Sequence, residues 1–308
     1  MTTSTGPESR EALSSGLTCS AWAREQHLDP VGSAGSYRGY LLVEWPLPWP
    51  RDLAEIPPLA PVAEAARSAG MRLQGLVPAS ADDVSRVAAY RWPRSGQTRL
   101  SRAELTVERA EVVAAALAVL GETPGQADSI EVLICTHGRR DRCCGSLGTS
   151  LAQELSGDPC PLGDGVRVWR TSHTGGHRFA PTAVVLPQGT SWAFCDKSAL
   201  ERIVRREGPM DDLLARYRGC SAMASGAAQA LERAVLGEVG WPLFEMERRV
   251  EDLGSDKMEI AVDHPEWGRT VWEASVRSEL VLLPECGQLL QAATKREPRW
   301  VVENLRRC

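Results

Sequence analysis

Two short motifs, about thirty residues apart, supply residue types that bind metals. The first runs Cys135-Thr-His-Gly-Arg-Arg-Asp-Arg-Cys-Cys144, and the second is His173-Thr-Gly-Gly-His177. Two thiolates beside two imidazoles match the iron–sulfur clusters in which histidine replaces cysteine on one iron. We therefore predict a [2Fe–2S] cluster bound by Cys135, Cys144, His173 and His177, with Cys143 and His137 as alternate ligands.

The elements around these motifs are expected to bring the ligands together. The β-branched run Ile130–Cys135 predicts a buried strand that ends at the first cysteine, and the apolar spacing of 145–155 predicts a helix that begins beside Cys144. Both sulfurs would then lie at one edge of a βα unit, where the helix N-terminus favours a thiolate. Gly175 and Gly176 allow the backbone to approach a bulky inorganic group closely.

Charged residues beside the ligands suggest supporting roles. Asp141 is expected to hold the loop between Cys135 and Cys144, here called the cysteine loop, by accepting hydrogen bonds from backbone N–H groups. Arg142 and Arg178 are expected to offset the cluster charge or to dock a redox partner. A histidine bound to iron through one nitrogen keeps a proton on the other, so we expect electron transfer to be coupled to proton transfer.

Two other interpretations of the motifs stay open. Zinc accepts two cysteines and two histidines, although structural fingers usually separate the cysteines by two to four residues and eight intervene between Cys135 and Cys144. A thioredoxin-type dithiol needs a Cys-x-x-Cys pair, which this loop lacks. These spacings weigh against both interpretations but leave them possible in other forms. The alternatives to electron transfer are a zinc-stabilised, non-enzymatic interaction module and a metal-free thiol oxidoreductase that does not use a Cys-x-x-Cys pair.

Composition narrows the class of protein. The 308 residues are 43% hydrophobic and 24% charged, which is typical of a globular protein, and the formal net charge of −5 argues against a nucleic-acid partner. Residues 1–17 have no apolar signal segment, and the apolar run 112–120 is shorter than the roughly 20 residues that span a bilayer. We expect a cytoplasmic protein that acts with a redox partner protein, a reductase or an acceptor, and not with a membrane.

The order of the predicted elements indicates an α/β fold. The pattern β-α-β-β-β-α in the second unit is typical of a thioredoxin-like fold, and the first unit repeats a similar order without ligands, as a degenerate copy would. A helix is predicted over Thr106–Leu120 in the first unit. The C-terminal region shows a helix over 223–239 and three β-patterned stretches, but no motif for chemistry. The predicted divisions are a disordered N-terminus (1–17), an N-terminal α/β domain (18–124), a thioredoxin-like ferredoxin domain (125–220) and a C-terminal α+β region (221–308).

The motifs also resemble a known family. Residues 135–145, 173–180 and 186–189 are similar to segments of the sucrase/ferredoxin-like family, and Cys19–Ala21 and Leu41–Trp45 look similar as well. The resemblance implies a thioredoxin-like ferredoxin with a [2Fe–2S] cluster on two cysteines and two histidines, at the four positions named above. The family name implies sucrose hydrolysis, but no carboxylate pair of the glycosidase type stands in a recognisable motif, so we expect no sucrase activity.

Overall fold

The strands form two sheets in the part of the chain that the computed structural model describes, residues 18–79, 83–93, 99–264, 266, 268–284, 286 and 293–308. The predicted disordered segment 1–17 lies outside these residues. The larger sheet contains β1 (Gly39–Glu44), β2 (Met71–Leu76), β3 (Val84–Arg91), β4 (Ser101–Glu108), β5 (Ile130–Cys135), β6 (Val166–Thr171), β7 (Ala183–Leu186), β8 (Thr190–Trp192) and β9 (Tyr217–Cys220). The smaller sheet contains β10 (Arg248–Gly254), β11 (Lys257–His264), β12 (Gly268–Leu283) and β13 (Lys295–Arg307).

The helices are short, and most of them follow a strand. They are α1 (Cys19–Glu25), α2 (Ala60–Ser68), α3 (Val112–Ala118), α4 (Thr149–Glu154), α5 (Lys197–Arg205), α6 (Asp211–Leu214) and α7 (Gly226–Val239). A π-helical turn, Cys144–Gly148, leads directly into α4. No helix of the described residues is long and apolar enough to cross a membrane.

The larger sheet is built from two units with the same strand order. Its order is β4-β3-β1-β2-β6-β5-β7-β8-β9. In each unit the first strand is parallel to the second and antiparallel to the third: β1 pairs so with β2 and β3, and β5 with β6 and β7. This arrangement confirms the predicted α/β thioredoxin-like fold and the repeated order in the first half. The units join where β2 meets β6, at the antiparallel pair Leu76 and Thr171.

Strand β1 shows how the sheet is buried. All six of its residues are buried, as expected for an apolar strand that has a parallel neighbour and is covered on both faces. Leu41 and Val43 pack with residues of α2 and α3. Tyr40 and Leu42 point to the other face and share a cluster with Leu133 of the second unit. The two units therefore share part of one core.

The structure corrects two details of the sequence analysis. The helix predicted over Thr106–Leu120 was wrong at its start, because residues 106–108 extend β4 and pair with residues 84–86 of β3. The first helical turns follow only after Glu108. The predicted C-terminal sheet also has a strand that was not predicted, β13, which pairs with β12. None of its residues is fully buried, and its half-buried residues do not alternate with exposed ones as they do in a typical half-buried strand.

A buried ion pair fastens the smaller sheet to the rest of the protein. Glu232 of α7 is fully buried, and its Oε1 lies 3.3 Å from Nε of Arg248 on β10. The hydroxyl of Tyr217 donates to Oε2 of the same carboxylate at 2.8 Å. Burial raises the pKa of Glu232, although Arg248 and Tyr217 act in the opposite direction. The carboxylate therefore depends on its arginine partner to stay ionised.

Replacing Arg248 with Met should lower the free energy of unfolding by about 3–5 kcal/mol, because it leaves a buried carboxylate unpaired. A group whose pKa is raised in the folded state is least costly when it is protonated, so the loss should be smaller at acidic than at alkaline pH. Urea unfolding followed by circular dichroism measures both effects. Adding Glu232→Gln should restore most of the stability. If the Arg248→Met variant were as stable as the wild type, the role given to this ion pair would be wrong.

Candidate metal centre

A close approach between a strand and a helix positions the two predicted cysteine ligands. Cys135 is the last residue of β5, and Cys144 opens the π-helical turn before α4. A Cβ atom on Gly148 would lie 1.9 Å from the carbonyl oxygen of Cys135. Only glycine at that position lets the helix start come this near to the strand end. Both thiols are completely buried as a result.

The first ligand group consists of Cys135, Cys144 and His173. Their ligand atoms all lie within 4.8 Å of one another. The distance between Sγ of Cys135 and Nδ1 of His173 is 3.7 Å. The two cysteines are buried, whereas His173 is partly exposed. Three of the four predicted ligands are thus brought together by the end of β5, the start of the helix and the loop after β6.

The junction between the two units of the sheet holds the loop after β6 that carries His173 and His177, here called the histidine loop. Beyond the paired Leu76 and Thr171, the amide of Gln74 donates to the carbonyl and hydroxyl oxygens of Ser172 at 2.5 and 2.7 Å. The guanidinium of Arg72 then donates to the carbonyl oxygen of His173 at 2.7 Å. Strand β2 of the first unit therefore fixes the backbone that carries the first histidine.

His177, the fourth predicted ligand, contacts a different set of residues. Its Nδ1 lies 2.8 Å from Oδ2 of Asp141 and 3.5 Å from Sγ of Cys19. The ring centroids of His173 and His177 are 6.3 Å apart. Gly175 and Gly176, with φ of 82° and 66°, make the left-handed turn that allows both rings to face the same region.

A second ligand group lies beside the first and was not predicted. It contains Cys19, Cys143, Cys286 and the carboxylate of Asp141, again with all ligand atoms within 4.8 Å of one another. Cys143, the alternate ligand of the sequence analysis, belongs to this group and not to that of Cys135. Cys286 gave no sequence signal. Cys19 stood in a familial Cys-Ser-Ala segment, which was the only available hint.

Asp141 and His137 both hold the cysteine loop. Oδ1 of Asp141 accepts a hydrogen bond from the backbone N–H of Cys143 at 2.8 Å, as the sequence analysis expected of this residue. His137 belongs to neither ligand group of the described residues. Its Nε2 lies 2.8 Å from the carbonyl oxygen of Pro50, and its ring packs edge-on against Trp49. Both contacts are structural, and neither favours a ligand role for His137.

Each group stabilises one thiolate. Burial by itself would raise the pKa of Cys135, but hydrogen bonds from Cys144 and His173 outweigh it and hold that pKa well below its usual value. Hydrogen bonds from Cys143 and Cys19 lower the pKa of Cys286 to about 3. The hydrogen bond with Cys135 and burial raise the pKa of Cys144, and hydrogen bonds with Cys143 and Cys286 raise the pKa of Cys19. A cation bound to either group would therefore displace the protons that its thiols share in these hydrogen bonds.

Buried arginines lie next to the ligand loops. Arg218, which the sequence analysis did not identify, is fully buried and donates to the carbonyl oxygen of Gly175 at 3.2 Å. A Cβ atom on Gly176 would come within 2.5 Å of its guanidinium carbon, so glycine is required there. Arg178 is buried and pairs with Glu297 of β13 at 2.7 Å. Arg142 is exposed.

The histidine side of the site opens into a cleft of about 370 Å³. His173 and His177 both line it, whereas the cysteines do not. Four basic and two acidic side chains of the described residues also line it: Arg51, Arg140, Arg178, Lys295, Asp141 and Glu297. The surface that gives access to the histidines is therefore net basic.

Comparison with known proteins adds one match. The model of the sucrase/ferredoxin-like family matches residues 30–219, which contain both histidines and all the cysteines of the two motifs. No curated protein and no solved structure matches the chain. Cys19 and Cys286 lie outside the matched range.

Two neighbouring cysteines offer a direct test of the ligand assignment. Cys144→Ser should abolish iron binding and the visible absorption of the purified protein, because Cys144 faces Cys135 and His173. Cys143→Ser should keep both, because its thiol faces Cys19 and Cys286. Iron analysis and absorption spectra of the two variants show which of the two cysteines is the ligand. Loss of iron in Cys143→Ser with retention in Cys144→Ser would shift the assignment by one residue.

Proposed function

The chain belongs to the sucrase/ferredoxin-like family, and we propose that it is an electron-transfer protein that holds a [2Fe–2S] cluster on Cys135, Cys144, His173 and His177. The observation that supports this most is the meeting of two buried cysteines and a cleft-facing histidine within 4.8 Å. We infer no hydrolytic activity on sucrose, because the chemistry that these residues offer is that of metal ligands.

The donor set fits such a cluster. Thiolate and imidazole are the ligands of iron–sulfur centres that mix cysteine and histidine. Asp141 engages Nδ1 of His177, which leaves Nε2 as the ring nitrogen available to iron. When bound, the cluster supplies a one-electron redox centre whose potential is raised by the two histidines relative to an all-cysteine site.

The protein residues set access and charge. Burial of Cys135 and Cys144 keeps water from the sulfurs, while His173 and His177 border the cleft. We infer that electrons enter and leave on the histidine side. The basic side chains around that cleft suit a redox partner protein with an acidic surface.

The contact between His177 and Asp141 also bears on proton transfer. The carboxylate of Asp141 accepts a hydrogen bond from Nδ1–H of His177 and so keeps this proton on the ring, next to the cleft. A proton at this atom responds to the charge on a metal bound at the other nitrogen, so we propose that reduction and protonation are coupled. The reduction potential should then fall as pH rises, with a limiting slope of about 59 mV per pH unit for one proton and one electron. Voltammetry across pH measures it, and a flat potential would argue against the coupling.

Metal analysis is the decisive experiment for the proposed function. Protein purified without oxygen should contain about two irons and two acid-labile sulfides per chain, as a [2Fe–2S] cluster requires. Cys135→Ser should lose both, whereas Cys160→Ser, whose thiol lies outside both ligand groups, should retain them. Colourless protein with zinc in the first group, made with ample iron, would instead support the zinc-stabilised interaction module.

The charge of the cleft can be tested with small oxidants. The reduced protein should be oxidised faster by the anionic tris(oxalato)cobaltate(III) than its charge-reversed variant Arg51→Glu/Arg140→Glu, by about tenfold at low salt. The cationic hexaamminecobalt(III) should show the opposite order. Arg249→Glu, an exposed change on β10, serves as the control. Equal rates for all three proteins would show that the basic cleft is not the route of electron exchange.

A further inference from the structure

The second ligand group lies outside the four residues of the proposed cluster. It joins α1, the loop after β5 and the segment after β12 through Cys19, Cys143 and Cys286. We propose that these three cysteines and Asp141 form a separate site for a thiophilic divalent cation, Zn²⁺ in the first instance. This inference goes beyond the proposed function and does not depend on it.

The sulfur atoms already form one face of a tetrahedron. The Sγ distances are 3.4 Å between Cys19 and Cys143, 3.1 Å between Cys143 and Cys286, and 3.0 Å between Cys19 and Cys286. A zinc–sulfur bond of about 2.3 Å gives sulfur–sulfur edges of about 3.8 Å in a tetrahedral site. The triangle therefore needs to widen by less than an ångström on each side to hold the ion.

Asp141 supplies the fourth corner. A carboxylate oxygen of Asp141 lies within 4.8 Å of all three sulfurs. Its two oxygens accept from the N–H of Cys143 and contact Nδ1 of His177, both at 2.8 Å. Each carboxylate oxygen has two lone pairs, so one remains on each for a metal. The hydrogen bonds also fix the orientation of the carboxylate, as the bonds around metal ligands commonly do.

The geometry favours a metal over the two other uses of clustered cysteines. A disulfide has an S–S length of about 2.0 Å, and all three thiols are free at 3.0 Å or more. Three thiols also cannot pair completely among themselves. The group is also more than an apolar packing contact, because an oxygen of the Asp141 carboxylate lies within 4.8 Å of all three sulfurs. Soft thiolates select zinc over calcium or magnesium.

Such a site would connect distant parts of the chain. Cys19 and Cys286 are 267 residues apart in sequence, and the backbone N–H of Cys19 also donates to Sγ of Cys286 at 3.3 Å. A bound cation would join the first described helix to the C-terminal region directly beside the proposed cluster. The C-terminal region, which showed no motif for chemistry, would thereby contribute a ligand.

Metal analysis of the full-length protein tests the proposal. After growth with iron and zinc and dialysis against zinc-free buffer, the wild type should retain about one zinc per chain, as one tetrahedral site requires. Cys286→Ser and Cys19→Ser should lose the zinc but keep the iron and the visible spectrum. Cys160→Ser should keep both metals.

A second measurement needs no variant. The X-ray absorption spectrum at the zinc edge should show three sulfur neighbours at about 2.3 Å and one oxygen. Protein without zinc, even after supply of equimolar Zn²⁺, would overturn the proposal. Loss of iron instead of zinc in Cys286→Ser would also overturn it, because Cys286 would then be a cluster ligand. If the protein lacks iron yet loses one zinc in Cys286→Ser, the cluster proposal fails and the second site stands.

Discussion

The geometry of the site depends on the junction between β2 and β6. A single residue pair, Leu76 and Thr171, joins the two units of the sheet, and the hydrogen bonds of Arg72 and Gln74 continue the junction into the histidine loop. Each such bond contributes only about 1 kcal/mol. Their position matters more, because they order the backbone of His173 opposite the end of β5. The first unit of the sheet, which supplies none of the predicted ligands, thus forms one side of the site.

Asp141 connects the second ligand group to His177, the fourth ligand of the proposed cluster. Its carboxylate contacts His177, which we assign to the cluster, and holds Cys143, which we assign to the second site. A cation in the second group would therefore change the charge felt by His177. The thiolates of both groups and the carboxylate of Asp141 collect negative charge in one region, and one-electron reduction of the proposed cluster would add to it. Arg218 lies at the glycine turn as a fully buried cation, and this arrangement reduces the cost of collecting that charge.

Sequence alone predicted the parts of the structure that rest on short-range patterns. The strand that ends at Cys135, the helical turn that opens at Cys144 and the turn at Gly175 and Gly176 each follow from local residue types. Cys286 could not be predicted, because its partners lie up to 267 residues away and no local spacing records such a contact. Strand β13 was missed for a different reason: it is largely exposed, and its half-buried apolar residues, among them Trp300, Val302 and Leu305, do not alternate regularly along the strand.

The two units show how one topology serves two purposes. In the second unit, β5 ends in a cysteine and leads into a loop that carries ligands. In the first unit, the equivalent strand β1 ends at Glu44 and leads into a loop that contains Trp49 and Pro50. That loop covers the ligand loop: Trp49 is buried against His137, and the carbonyl oxygen of Pro50 accepts a hydrogen bond from the His137 ring. Because the next residue, Arg51, reaches the cleft beside both histidines, the unit without ligands helps to set the charge that a redox partner meets.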